Sequence, residues 1–169
     1  MQLLLVVMLL IALAAGAVWA WGGREQTFRA RIRIEATPEA VFRWLTEPPL
    51  LARWIGGFVE SRPLGDGRIR VGARSTEVIE ERGRRTELQS EIVALDPGRR
   101  LAVRLSSPFL TAENAFTLDA SDDGATVVSQ QLTMRYRGIT RLFGPFLGGA
   151  VRAKLDADLE RLRQGAETD

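Results

Sequence analysis

The chain of 169 residues contains no cysteine and no histidine. Those absences remove disulfides, a cysteine nucleophile, Ser-His-Asp chemistry, any haem that needs a histidine ligand, and the zinc sites built on these two residue types. Lysine is almost missing too, with Lys154 the only one, so the positive charge is carried by arginine and the formal net charge is only +2. No basic stripe with interleaved aromatics occurs, which argues against nucleic acid as a partner. An oxygen-only metal site is the one remaining metal option, but Asp122-Asp123-Gly124 is too short for a calcium loop and reads as a turn. We therefore expect neither metal nor cofactor.

Charge is also absent from the start of the chain. Met1 to Trp21 carries no charged side chain, and as a helix it would be roughly 31 Å long, enough to cross a bilayer core. Trp19 and Trp21 would sit at the interfacial belt, ahead of Gly22, Gly23 and Arg24. Ala15-Gly16-Ala17 offers a signal-peptide cleavage pattern, yet there is no Lys or Arg before the span, and the apolar run continues past that site. Such a run exceeds the ~7–15-residue core of a signal peptide. Residues 1–22 are thus expected to form a transmembrane anchor or uncleaved signal. Arg24, Arg29, Arg31 and Arg33 follow it and, by the positive-inside bias, place the rest of a single-pass membrane protein in the cytoplasm. Ala12, Gly16 and Ala20 form a small-residue face that could pair helices, and the oligomeric state stays open.

Periodicity organises the remainder. Phe28–Glu35 alternates apolar with mostly charged residues, as a strand with one buried face does. Thr37 then offers an N-cap and Pro38 a first helical position, with Val41, Trp44 and Leu45 on one face of a short helix. Pro48 and Pro49 stop that helix, and Leu50, Leu51 and Trp54 begin a second one that Gly56-Gly57 closes. Six strand candidates follow, at Phe58–Pro63, Ala73–Glu81, Arg85–Leu95, Arg100–Ser106, Leu110–Asp119 and Ala125–Arg137. Gly, Pro and Asp turns between them suit antiparallel hairpins. Phe143, Phe146, Leu147, Ala150, Val151, Leu155, Leu159 and Leu162 make a final helical stripe, running to about Gln164. One domain of about 140 residues buries about 68% of its unfolded surface, enough for a core without staples. The expected division is 1–22 for the anchor, 26–165 for the folded domain and 166–169 for a tail.

The motifs Ile34-Glu35-Ala36-Thr37-Pro38-Glu39-Ala40-Val41-Phe42, Leu51-Ala52-Arg53-Trp54, Val71-Gly72-Ala73-Arg74, Leu95-Asp96-Pro97 and Asp123-Gly124-Ala125-Thr126-Val127-Val128 resemble the START-like, or SRPBCC, superfamily. It includes polyketide cyclase/dehydrase-like and lipid-transfer-like members. The resemblance implies an α+β helix-grip fold: a seven-stranded antiparallel sheet wrapped around a long C-terminal helix, with two short helices between strands 1 and 2. It specifies a fold better than an activity, since such proteins range from enzymes to carriers.

Between sheet and helix, Ala112, Asn114, Phe116 and Leu118 share one strand face, and Val128, Gln130, Leu132, Met134 and Tyr136 another. Leu88, Ser90 and Ile92, with Leu101, Val103 and Leu105, complete the inner wall. The strands alone fit two readings equally: an apolar pocket with polar anchors Asn114 and Gln130, or a packed core with those amides at a wet sheet end. Resemblance to the superfamily, where this space is commonly a ligand cavity, favours the pocket. The expected ligand-binding set is Trp54, Arg74, Leu88, Ser90, Val103, Ala112, Asn114, Phe116, Gln130, Leu132, Met134, Tyr136, Phe146 and Val151. Trp54 and Phe109 are candidate gates for its mouth, though each reads more readily as an ordinary aromatic buried under a loop.

Catalytic groups are hard to find. Without histidine the candidates are carboxylates, Arg74 and Tyr136, and Glu77, Glu87, Glu91 and Glu113 read as outward and solvated. Arg82, Arg84, Arg85, Arg99 and Arg100 cluster at two hairpins, as solvated turns or as contacts with anionic headgroups worth on the order of 1 kcal/mol each. The expected function is membrane-anchored binding of a hydrophobic small molecule or lipid. A cyclase- or dehydratase-type enzyme acting on a polyketide-like substrate is the alternative the resemblance implies; a scaffold that binds proteins and no ligand is the other.

Overall fold

Phe28, Ala30, Ile32 and Ile34 turn inward in β1 (Gln26–Ile34), while Thr27, Arg29, Arg31 and Arg33 are exposed. The computed structural model describes residues 2–81 and 83–169, and the side chains of all of these except residues 2–5, 9, 11, 12, 15 and 145. Met1 of the expected anchor and Arg82 of the arginine-rich hairpin lie outside the described residues.

Thr37 caps α2 (Pro38–Thr46), its hydroxyl accepting the Ala40 N–H at 3.3 Å with Pro38 in the first turn. The apolar face of this helix buries Val41, Trp44 and Leu45. The pair Pro48-Pro49 starts α3 (Pro48–Trp54), which ends with Trp54 buried and its Nε1–H donated to the Trp44 carbonyl at 2.8 Å. That bond satisfies an indole donor that burial would otherwise penalise.

Gly57, at φ +82°, turns the chain into β2 (Phe58–Leu64). There follow β3 (Arg74–Glu81), β4 (Arg84–Asp96), β5 (Arg100–Ser106), β6 (Leu110–Ala120) and β7 (Thr126–Tyr136). Each boundary falls within about two residues of the sequence expectation. The strands form one antiparallel sheet in the order β1-β7-β6-β5-β4-β3-β2. Only β1 leaves sequential order, since the α2–α3 excursion carries the chain from one edge to the other.

Two 3-10 turns, Gly138–Leu142 and Gly144–Phe146, lead into α4 (Gly148–Ala166). Leu155, Leu159 and Leu162 of α4 are buried against the sheet and α2. The far half of α4 joins Ile34, Trp44, Phe116, Leu118 and Val128 in the main core, and the near half joins Phe28, Ala112, Met134 and Tyr136 in a second cluster. At Gly165 the helix is bare where the Trp44 ring lies on it, and a Cβ there would run into that ring.

Ahead of β1 lies α1 (Gln2–Gly22), a helix of 21 residues. Its end meets the first 3-10 turn, with the Arg141 guanidinium 4.9 Å above the Trp19 ring. Among the described residues, however, no helix is long and apolar enough to cross a membrane. The structure therefore does not support the transmembrane helix expected from the sequence over residues 1–22.

Candidate functional site

Alternation along the strands decides what faces α4. Leu88, Ser90 and Ile92 of β4, Leu101, Val103 and Leu105 of β5, Ala112, Asn114 and Phe116 of β6, and Gln130, Leu132, Met134 and Tyr136 of β7 all line one cavity. Leu147, Val151 and Leu155 close it from the α4 side, and Leu51, Trp54 and Ile55 from α3. Its volume is about 690 Å³, within the range of small-molecule sites. Small side chains at Ala112 and Ser90 help to keep the space open.

Of the residues expected to line a pocket, Trp54, Arg74, Leu88, Ser90, Val103, Ala112, Asn114, Phe116, Gln130, Leu132, Met134, Tyr136 and Val151 are all brought together here. Phe146 is not: it sits in the second 3-10 turn, 72% exposed. Phe109 is likewise exposed and outside the lining, so it does not close the mouth. Trp54 is a wall rather than a movable gate, because its Nε1–H is tied to α2 and its ring meets Phe116 edge-on with centroids 6.0 Å apart.

The two amides are not at a wet sheet end. Gln130 donates to Asn114 Oδ1 across β6–β7 at 2.9 Å, and Gln130 Oε1 is buried with no hydrogen-bond partner. Tyr136 is buried, and desolvation raises its phenol above the ordinary 10.0. At neutral pH it is therefore protonated, a donor and not a base.

Glu77 corrects the sequence reading. Glu87 faces outward and pairs with Arg62 at 3.1 Å, and Glu91 and Glu113 flank Arg104 at 3.9 and 3.6 Å. Glu77, by contrast, lies on the cavity wall. Its Oε1 accepts from the Ser61 hydroxyl at 3.0 Å and the Ser75 hydroxyl at 2.6 Å, while Oε2 is buried without a partner. Thr76 and Val78 are themselves buried, so burial on both faces of β3 blurred the alternation. The register would have shown it, since Glu77 pairs with Leu88, an inner-wall residue.

A second carboxylate went unnoticed in the sequence. Asp158 of α4, 5% exposed, accepts the Gly56 N–H at 3.0 Å and the Lys154 ammonium at 3.1 Å, and is paired with Arg161. Lys154 also donates to the Gly56 carbonyl at 2.7 Å and Arg161 to the Trp54 carbonyl at 2.9 Å. This network fastens α4 to the turn between α3 and β2. The i, i+4 and i, i+3 spacing of Lys154, Asp158 and Arg161 was visible in the sequence; the backbone atoms they hold were not.

A sheet gripping a C-terminal helix, closed by two short helices and hollow between them, defines a helix-grip protein. The chain belongs to the polyketide cyclase / dehydrase and lipid transport family, whose profile matches residues 25–167. Among solved structures it is similar to the Zhui aromatase/cyclase of Streptomyces sp. R1128, with TM-score 0.72, 16% identity, and 85% of this chain and 94% of that one covered. It is also similar to Ara h 8.0201, with TM-score 0.68, 16% identity, and 86% and 100% covered. A third likeness is an uncharacterized protein from Rhizobium leguminosarum, with TM-score 0.68, 13% identity, and 86% and 97% covered. At these identities the likenesses speak to the fold. No curated protein matches the chain.

Proposed function

We propose that residues 26–165 bind a hydrophobic small molecule or lipid between the sheet and α4; of the expected tail 166–169, Ala166 is instead the buried last residue of α4 and Glu167 accepts the Glu35 N–H. The observation that carries this reading is a cavity of about 690 Å³ whose wall is mainly aliphatic and aromatic, with a few polar groups set into it. A filled-core scaffold would leave no such space. The enzyme alternative has weaker support: Asp158 is held by two cations, Tyr136 is protonated at neutral pH, and Glu77 is engaged by the Ser61 and Ser75 hydroxyls with no second titratable group bonded to it. None is a poised base.

Tethering to a membrane through residues 1–22, with the folded domain on the cytoplasmic side, completes the proposal. Support comes from the charge-free sequence of α1 and from the exposure of Val6, Val7, Met8, Leu10, Leu13 and Trp21. Ile139, Phe143 and Phe146 are exposed on the turns that α1 meets, and exposed aromatics beside arginines suit a bilayer interface. Carbonate extraction of membranes from cells making the full chain is expected to leave it in the pellet. Release into the supernatant would remove the tether.

The cavity is tested by filling it. Ala112→Trp places a large ring where a methyl now lies, 7% exposed on the inner wall. Native mass spectrometry of the full chain is expected to show a copurifying small molecule that this variant lacks, at unchanged circular dichroism. Identical ligand-free masses for both proteins, with no ligand raising either melting temperature, would defeat the binding reading.

A further inference from the structure

We infer that the cavity selects an amphiphile whose polar end is a hydrogen-bond donor, a protonated amine above all, and that Glu77 with Ser61 and Ser75 forms the acceptor that reads it. The inference rests on the binding reading above and names the ligand class for that same site.

Polar groups are not scattered evenly round the wall. Ser61 comes from β2, Ser75 and Glu77 from β3, and Ser90 from β4, where it lies opposite Ser75 in the register. The β5 wall contributes Leu101, Val103 and Leu105, and α4 contributes Val151 and Leu155 together with Lys154 and Asp158, which are paired with each other. A cluster of polar groups is therefore set into a mainly apolar wall, as an amphiphile requires, with the Asn114–Gln130 pair as a second polar point on β6 and β7.

The sign of the polar end follows from who donates to whom. Ser61 and Ser75 spend their protons on Glu77 Oε1, at 3.0 and 2.6 Å, so what each hydroxyl still offers is lone pairs. Glu77 Oε2 is buried without a donor although the residue is half-buried on the cavity wall, a condition that costs free energy until a donor arrives. The terminal torsion of a glutamate is broad, and Glu77 already lies on the cavity wall. Among the described residues no cation is paired with Glu77; Arg70 is occupied by Asp66 at 2.8 Å, and Arg68 and Arg74 are exposed at the rim. A ligand N–H or O–H meets three acceptors there, whereas a ligand carboxylate meets a like charge.

The experiment uses the full chain in a sugar-headed detergent, equilibrated separately with equal concentrations of decylamine, decanol and decanoate and passed through gel filtration. Ligand retained is quantified after extraction, and the amount held by Ala112→Trp is subtracted as the background outside the cavity. Decylamine is expected to exceed decanoate about tenfold, with decanol between, as a charge-assisted hydrogen bond predicts. In Glu77→Gln the amine preference is expected to fall to within about twofold while decanol is retained. Equal retention of all three heads above background, or a preference for decanoate, overturns the role of Glu77 and leaves the binding reading standing. Retention no greater than background for every head overturns both. The ranking needs no Glu77 variant, so it decides the inference even if that variant folds poorly.

Discussion

Asp158→Ala is expected to destabilise the protein by about 3 kcal/mol and to lower its melting temperature by roughly 6–12 °C, without touching the sheet. Removing a carboxylate that is 5% exposed leaves Lys154 and Arg161 side by side and the Gly56 N–H without an acceptor. The effect is placed at the low end for a broken buried pair because both cations reach solvent, with side chains 40% and 41% exposed. Asp158→Asn retains an acceptor for Gly56 and is expected to cost about half as much. Denaturant unfolding of the three proteins side by side provides the check. If Asp158→Ala unfolds at the same midpoint as the parent, the fastening of α4 to the α3–β2 turn contributes nothing to stability.

Two glycines of α4 are expected to respond to alanine with opposite signs. In an exposed helical position Gly→Ala stabilises by ~0.5–1 kcal/mol, and Gly149 meets that condition because nothing lies within 4 Å of its added methyl. Gly165 does not. Its methyl would enter the space of the Trp44 ring, itself 1% exposed and packed in the main core, so about 2 kcal/mol of destabilisation is expected from overpacking. A gain of about 0.5 kcal/mol at Gly149 beside that loss would show that close contact with α2, and not helix propensity, sets the residue at 165. A stabilising Gly165→Ala would mean that Trp44 shifts without penalty.

The elements themselves were plain in the sequence because their signals are local. Alternation in Phe28–Ile34, the Thr37-Pro38 start of α2 and the Pro48-Pro49 start of α3 are each decided by the residues concerned. Cavity residues on β5, β6 and β7 were readable for the same reason, since a strand with one apolar face announces its inward set. Phe146 failed that test because it belongs to a 3-10 turn, where a helical stripe extrapolated from α4 loses its phase. Leu95 shows another limit. It packs on the main core although Leu88, Ser90 and Ile92 fix the opposite parity, because the register of β4 slips between Ile92 and Ala94. A bulge of that kind changes which residues face inward without leaving a clear mark in composition.

Glu77 and Asp158 were lost for a different reason. A carboxylate is ordinarily solvated, and the default is overturned only by partners brought from elsewhere. For Glu77 these are Ser61 and the cross-strand neighbour Leu88; for Asp158 it is the backbone N–H of Gly56, 102 positions away along the chain. The membrane reading of residues 1–22 is the converse case. It rests on the apolar sequence and on exposed side chains, and extraction from membranes will decide it.

The single departure from sequential strand order governs when the sheet can be completed. Hairpins from β2 to β7 join neighbours in the chain, but β1 must find β7, as in Thr27 with Thr133, 106 positions apart. Closing so long a loop carries the largest entropic cost in the sheet. A ribosome would therefore release the meander strand by strand while β1 waits for the last of them, with the edge of β7 unpaired in the interval. That edge is where a nascent chain would be open to wrong pairing, and holding β1 close to the emerging chain would shorten the search.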